Sequence, residues 1–167
     1  MWHLLYPESY WKLVQRQAGA NRLDPYLVMG LIRQESAFNP RATSSADAHG
    51  LMQVLPTTAS RSKRPARIRS AGARLYNPTY NVRFGCSYFR SLLKDFNNKP
   101  EIALAAYNAG DFRVRDWLRG SSFRDSTEFL ETIPIRATRA YVEAVMRDAA
   151  IYRQLLSGST KLAKCSE

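Results

Sequence analysis

A chain of 167 residues is long enough for one domain with a substantial core. With 45% hydrophobic and 11% aromatic residues it reads as globular rather than disordered, and no apolar run approaches the roughly 18–20 residues of a membrane span. The net charge of +11 points to a polyanionic partner: nucleic acid, an anionic membrane or a carboxylate-rich cell-wall polymer.

The charge is uneven. No acidic residue lies between Asp47 and Asp95, whereas Arg61, Lys63, Arg64, Arg67, Arg69 and Arg74 follow one another, with Arg83, Arg90 and Lys94 beyond. The segment from Arg61 to Arg74 is read either as a solvated loop or as a polyanion contact. The N-terminal text "MWHLLYPESYW" has no basic start followed by an apolar stretch, so it is not a signal peptide. If the protein acts outside the cytoplasm, a leader or upstream region is missing from this chain. Cys86 sits among apolar residues and Cys165 in the polar tail "KLAKCSE", which reads as a buried thiol and a tail thiol rather than a disulfide. His3 and His49 stand alone, without metal-ligand spacing, and no metal or cofactor is expected.

The elements in chain order are helices. A leading helix occupies about 1–20, starting after Pro7 and running to Gly19, with Tyr10, Leu13, Val14 and Gln17 on one side. Asp24-Pro25 supplies an N-cap followed by proline in the first turn, opening a helix to Ser36 that Asn39-Pro40 stops. "RATSSADAHG" is a small, polar loop, and a short helix follows Pro56-Thr57. "NPTYNVRFGCSYFRSLLKDF" is a long helix with Val82, Gly85, Cys86, Phe89, Leu92, Leu93 and Phe96 at three- and four-residue steps. "PEIALAAYNAG" gives another, closed by Gly110, then "DFRVRDWLRG", capped by Asp111. The last, from Ala137 to Leu156, turns Tyr141, Val145, Met146, Ala149, Tyr152 and Leu156 inward, and 158–167 reads as a flexible tail. The expected fold is a single all-α domain of six to eight helices over residues 1–167, with little or no sheet.

One residue does not suit its place. Ile32, Leu31, Val28 and Leu27 precede Glu35 at spacings of three, four, seven and eight, so the carboxylate shares their apolar face. Burial there raises its pKa, and the negative end of the helix dipole does the same. Both effects favour a carboxylic acid still protonated near neutral pH, which is what a general acid in glycoside cleavage must be. The alternative is a glutamate rotated to the edge of the face and solvated.

The neighbouring text favours chemistry. "HGLMQVLP" offers Gly50 for close backbone approach, Met52 and Leu55 as apolar surface, and Gln53 as donor and acceptor. "AAYNAG" ends a helix on Tyr107 and Asn108, a flat ring beside an amide. Apolar and aromatic surfaces pack on sugar faces, and amides bind hydroxyl and N-acetyl groups.

These stretches, "RQESAFNP", "GLMQVLPTTA", "NPTYNVRFGCSYF", "AAYNAGDFRVRDWL" and "FLETIPIRATRAYV", occur in the order of a known family from about Asp24 to Tyr152. The chain resembles the catalytic domain of soluble lytic transglycosylases, which have a lysozyme-like α-helical fold with a substrate groove. That branch usually carries a long α-superhelical region upstream. The resemblance implies cleavage of the β-1,4 bond between N-acetylmuramic acid and N-acetylglucosamine in peptidoglycan, leaving 1,6-anhydromuramic ends. It places the protein in the periplasm or cell envelope, as a monomer acting on glycan strands without nucleic acid. Glu35 matches the family's single catalytic acid, which also serves as base on the muramyl 6-hydroxyl while the substrate's N-acetyl carbonyl stabilises the intermediate.

Ser44, Gln53, Tyr107 and Asn108 match sugar-contacting positions, with Tyr107 bonding Glu35 or the intermediate, and Glu131 matches an acidic residue lining the groove. Ordinary glycosidases use a second carboxylate about 5–10 Å away. The only acidic candidate between Glu35 and Asp95 is Asp47, which reads as a turn residue. Related hydrolytic lysozymes carry a carboxylate where Leu55 stands, so leucine favours transglycosylation. Phe38 replaces the family's tryptophan and is expected to keep its packing. A hydrolytic muramidase of the same fold is the nearer alternative. A basic nucleic-acid-binding module is the more distant one, and it leaves Glu35 and its motifs without a purpose.

Overall fold

Apolar positions spaced three and four apart in the sequence converge on one core. The computed structural model describes residues 5–60, 72–119, 123 and 125–163. Within them eight helices have defined bounds: α1 Trp11–Asn21, α2 Pro25–Ser36, α3 Pro56–Ser60, α4 Pro78–Asp95, α5 Pro100–Ala109, α6 Asp111–Arg119, α7 Ser126–Thr132 and α8 Arg136–Ala163. β-structure among the described residues amounts to the isolated bridges Thr43–His49 and His49–Val54. The all-α expectation holds.

The helix starts follow local chemistry. The Asp24 carboxylate accepts the Tyr26 N–H and Pro25 follows at the first helical position, so an orphan donor is satisfied and φ is preset. Asn77 and Pro78 repeat the device at α4. The ends depart from expectation in several places. α2 stops at Ser36 before Asn39-Pro40 is reached, because Ala37 and Phe38 both take left-handed backbone, φ 48° and 64°. α1 begins at Trp11 behind a left-handed Tyr10. Asp111 lies in the first turn of α6 instead of capping it. α7 is a helix the periodicity had not separated; Asp125 caps it by accepting the N–H groups of Thr127 and Glu128. No proline interrupts α8, which continues past Leu156 to Ala163, into the stretch read as a tail. Cys165 and the basic run from Arg61 to Arg69 lie outside the described residues.

The core is built from Val14 and Ala18 of α1, Val28, Leu31 and Ile32 of α2, Val82, Cys86 and Phe89 of α4, Leu104 of α5, and Val145 and Tyr152 of α8. Each large side chain contributes about 1.5–3 kcal/mol by leaving water. The most extensive helix pair is α2 against α8. Gly30 makes their close approach possible: a Cβ there would lie 2.6 Å from the Val145 carbonyl oxygen and 3.0 Å from the Ala149 nitrogen. Beside this contact the fully buried Asp148 accepts Gln34 Nε2 at 2.6 Å and the Tyr6 hydroxyl at 3.3 Å, with Arg33 Nη1 at 3.6 Å. A buried carboxylate is tolerable only with such partners. These partners fix the last turns of α2, where Glu35 sits.

Candidate active site

Glu35 occupies the final turn of α2, half-buried, one helical turn beyond the fully buried Leu31 and Ile32. Burial raises its pKa from 4.5 to about 7, and a hydrogen bond from Tyr141 partly opposes the shift. Among the described residues no carboxylate contributes to that shift. The Tyr141 hydroxyl donates to Glu35 Oε1 at 2.5 Å. Tyr141 is itself pushed well above the ordinary phenol value, by burial first and then by the Glu35 charge, so it stays a donor at physiological pH. The sequence had placed Tyr141 on the inward side of the last helix without connecting it to Glu35. The "TRAYV" motif was the signal that could have done so.

Of the two partners expected of Tyr107, the structure rules out Glu35 as the one its hydroxyl bonds. Its hydroxyl donates to the Met52 carbonyl at 2.7 Å and not to Glu35. It still lies near the acid, since the Glu35 charge adds to the burial that raises its phenol pKa. The loop carrying Met52 is held from three sides. Ser36 Oγ donates to the Leu51 carbonyl at 2.9 Å, tying the loop to the end of α2. Fully buried Asn81 on α4 accepts the Met52 N–H at 2.7 Å and donates to the His49 and Leu75 carbonyls at 2.7 and 2.8 Å. Gly50, at φ +75°, packs so closely that a Cβ would meet the Leu75 oxygen at 2.3 Å. The close approach expected of Gly50 is therefore real. In the sequence Asn81 is one more residue of the "NPTYNVRFGCSYF" motif; its three bonds could not be foreseen from spacing.

A cavity of about 270 Å³ is lined by Gln53, Leu55, Thr58, Tyr88, Tyr107 and Asn108, among others. It brings together four of the residues singled out in the sequence: Gln53, Leu55, Tyr107 and Asn108. Glu35 is not among the residues that line it, though its charge reaches Tyr107 in the cavity wall. Gln53 holds φ 46° and spends its amide N–H groups on the Ala42 and Gly50 carbonyls at 3.2 and 2.9 Å. Asn108 Oδ1 accepts the Thr138 hydroxyl at 2.9 Å. Leu55 is 37% exposed, an apolar rim.

Two expected residues stand elsewhere. Ser44 Oγ accepts the N–H groups of Ala46 and Ala48 at 3.2 and 3.1 Å, which makes it the staple of its own turn. Glu131 is exposed and pairs with Arg139 at 3.3 Å, while Arg139 also donates to the Glu131 and Ile133 carbonyls. Asp47 is an exposed turn residue at φ 63°, 3.0 Å from His49 Nε2. Phe38 is buried against Tyr152, ring centroids 6.2 Å apart, so its packing is kept. The Cys86 thiol is buried and pushed up to about 12, which leaves it unreactive. Among the described residues no His, Cys, Asp and Glu cluster could hold a metal ion.

The transglycosylase SLT domain family matches residues 12–130. The soluble lytic murein transglycosylase of Escherichia coli strain K12 is 36% identical over 165 residues, covering 97% of this chain and 26% of its own length. The counterpart from Salmonella typhimurium is 37% identical over 166 residues, with 97% and 26% covered. Among solved structures, the lytic transglycosylase Slt of Pseudomonas aeruginosa, in an inactive glutamate-to-glutamine variant, superposes with a TM-score of 0.85 at 35% identity, covering 93% of this chain and 25% of that one. The soluble lytic transglycosylase of Escherichia coli does so with 0.81 at 35% identity over 90% and 25%, and a 70-kDa soluble lytic transglycosylase in complex with bulgecin A with 0.80 at 35% identity over 90% and 25%. The chain spans about a quarter of the length of the curated relatives it matches.

Proposed function

We propose, from the premise that the chain belongs to the transglycosylase SLT domain family, that it cleaves the β-1,4 bond between N-acetylmuramic acid and N-acetylglucosamine in peptidoglycan and leaves 1,6-anhydromuramic ends. One observation carries the reading: the Glu35 carboxyl, raised to about 7 by burial and held by Tyr141. At neutral pH about half of such groups are protonated, so the acid and base forms are both accessible.

In the first step Glu35 gives its proton to the glycosidic oxygen. The bond from that oxygen to the muramyl anomeric carbon breaks, and the N-acetyl carbonyl oxygen of the same sugar bonds to the carbon. In the second step the 6-hydroxyl oxygen attacks the anomeric carbon, the acetamido oxygen leaves, and the hydroxyl proton returns to Glu35. No water is consumed and the enzyme ends as it began. Tyr141 fills one carboxyl oxygen, which leaves the other to carry the proton. Leu55 and the ring of Tyr107 supply apolar and aromatic surface for sugar faces, and Gln53 and Asn108 supply amides beside them. The positions of Ser44 and Glu131 support a part in shaping the loop and the α7–α8 turn rather than a sugar contact. The whole chain serves as one catalytic unit, residues 1–167, working where peptidoglycan lies, in the periplasm or cell envelope. Among the described residues no helix is long and apolar enough to cross a membrane.

Mass spectrometry of the ends released from purified peptidoglycan tests this reading, because an anhydro end is one water lighter than a hydrolysed end. Anhydro ends are expected. A product pool made only of hydrated ends refutes the reaction in favour of a hydrolytic muramidase.

A further inference from the structure

A second cavity, of about 280 Å³, lies at the start of α4 and is lined by Arg74, Asn77, Thr79, Tyr80 and Arg83. Its two guanidinium groups share one aromatic ring: Arg74 stands 5.3 Å and Arg83 5.8 Å from the Tyr80 centroid. Arg83 also lies 5.4 Å from the Phe84 centroid. Stacking on a ring holds a guanidinium in place without using its N–H donors. The ion pairs of arginines among the described residues engage Arg33, Arg115, Arg119, Arg139, Arg147 and Arg153. Arg74 and Arg83 are in none of them, and the sequence has no acidic residue from Ala48 to Lys94 to supply a partner.

The cavity is also joined to the candidate active site. Tyr80, Phe84 and Tyr88 stand four residues apart on α4 and therefore share a face. All three are half-buried against the core. Tyr80 and Phe84 are in contact at 4.5 Å between centroids, and Tyr88 meets Tyr107 at 5.4 Å in the wall of the first cavity. The row thus runs from the amide-and-aromatic cavity near Glu35 to the arginine pair, about 12 Å along the helix axis.

We propose that the Arg74–Arg83 pair is a carboxylate-binding site for the peptide carried by the glycan strand, reached along the Tyr80–Phe84–Tyr88 row. The inference rests on the peptidoglycan reading above and adds to it a contact with the peptide portion of the substrate. Two ring-stacked forks that make no ion pair among the described residues suit a carboxylate, which accepts two parallel N–H bonds. A neutral sugar gains nothing from them. A peptide branching from a sugar held near Tyr107 can span the distance, and its free carboxylates meet a stretch of chain, Ala48 to Lys94, that carries no acid of its own.

The test uses the whole chain with Glu35→Gln, so that ligands bind without being cleaved. Calorimetry compares a muropeptide oligomer with free peptide carboxylates, the same oligomer with those carboxylates amidated, and a neutral N-acetylglucosamine oligomer. The free-carboxylate form is expected to bind roughly three- to tenfold more tightly than the amidated one, the range for two partly exposed charge-assisted contacts. Adding Arg74→Ala and Arg83→Ala should abolish that preference, while the neutral oligomer binds both proteins alike. Arg74→Lys with Arg83→Lys should restore part of it, because the charge returns without the stacked fork. Thermal melting confirms that each variant is folded. A preference that survives removal of both arginines, or equal binding of the free and amidated forms by the parent, overturns the inference. Either result leaves the reaction untouched, because anhydro ends are scored separately. Absence of anhydro ends would instead count against the reaction.

Discussion

Replacing Glu35 with glutamine isolates the carboxyl proton from every other feature of the site. Glutamine has nearly the same shape, and its amide oxygen can accept the Tyr141 hydroxyl that Glu35 accepts at 2.5 Å. What disappears is the titration. In the native protein burial lifts the group from 4.5 to about 7, so the folded chain holds this proton more tightly than the unfolded chain. The stabilisation from that tighter hold is fully present below pH 4.5 and is lost as pH rises to about 7. At about 1.36 kcal/mol per pH unit the loss amounts to at most about 3 kcal/mol. Glu35→Gln has no such dependence. Urea unfolding of both proteins from about pH 4 to about pH 8 should therefore show the variant gaining on the native protein by up to about 3 kcal/mol across this window, then running parallel above it. In melting temperature this is roughly 6–12 °C for a chain of this size. The same variant should have no lytic activity at any pH. The native enzyme should lose activity above pH 7, approaching about tenfold per pH unit as the acid form is titrated away. A stability difference that stays constant across pH, or lysis by Glu35→Gln, refutes the reasoning.

Tyr141→Phe removes a bond that favours the carboxylate, so the Glu35 pKa should rise above 7 by about one unit or more. The alkaline limb of the rate profile moves up with it while kcat falls, and a limb that stays put or moves down contradicts the assignment. Asn81→Ala strands three backbone groups, the Met52 N–H and the His49 and Leu75 carbonyls. It should cost about 3 kcal/mol or more and raise KM through a displaced Met52–Gln53 segment, read by urea unfolding and by initial rates. Gly30→Ala places a Cβ against backbone atoms of α8 and should destabilise by about 1–3 kcal/mol. Because it pushes α8 from α2, its pH–rate limb should move in the same direction as that of Tyr141→Phe, which a purely local clash would not produce.

Much of this was legible along the chain. The Asp24-Pro25 and Asn77-Pro78 starts, the apolar steps of α4, and Glu35 on the face of Leu31 and Ile32 follow from local rules: a cap satisfies nearby donors, and helical spacing decides which side chains share a face. The family likeness added that Gln53, Leu55, Tyr107 and Asn108 belong together, and the fold brings them to one cavity. The fold decided what spacing cannot express. Tyr141 lies 106 residues from Glu35, and only the close crossing of α2 and α8 at Gly30 lets the two meet. Tyr107 turned to Met52 because a backbone carbonyl, presented by the Asn81-held loop, lay within reach of its hydroxyl. Asp148 reads in the sequence as one more polar residue on a helix, yet it is the buried anchor of Arg33 and Gln34. Local structure depends on neighbours a few residues away, so the sequence by itself determined the candidate acid and most of the helices, with α7 and the last turns of α8 the exceptions. Which groups satisfy a buried polar atom depends on contacts between distant segments, and that was settled only when the helices packed.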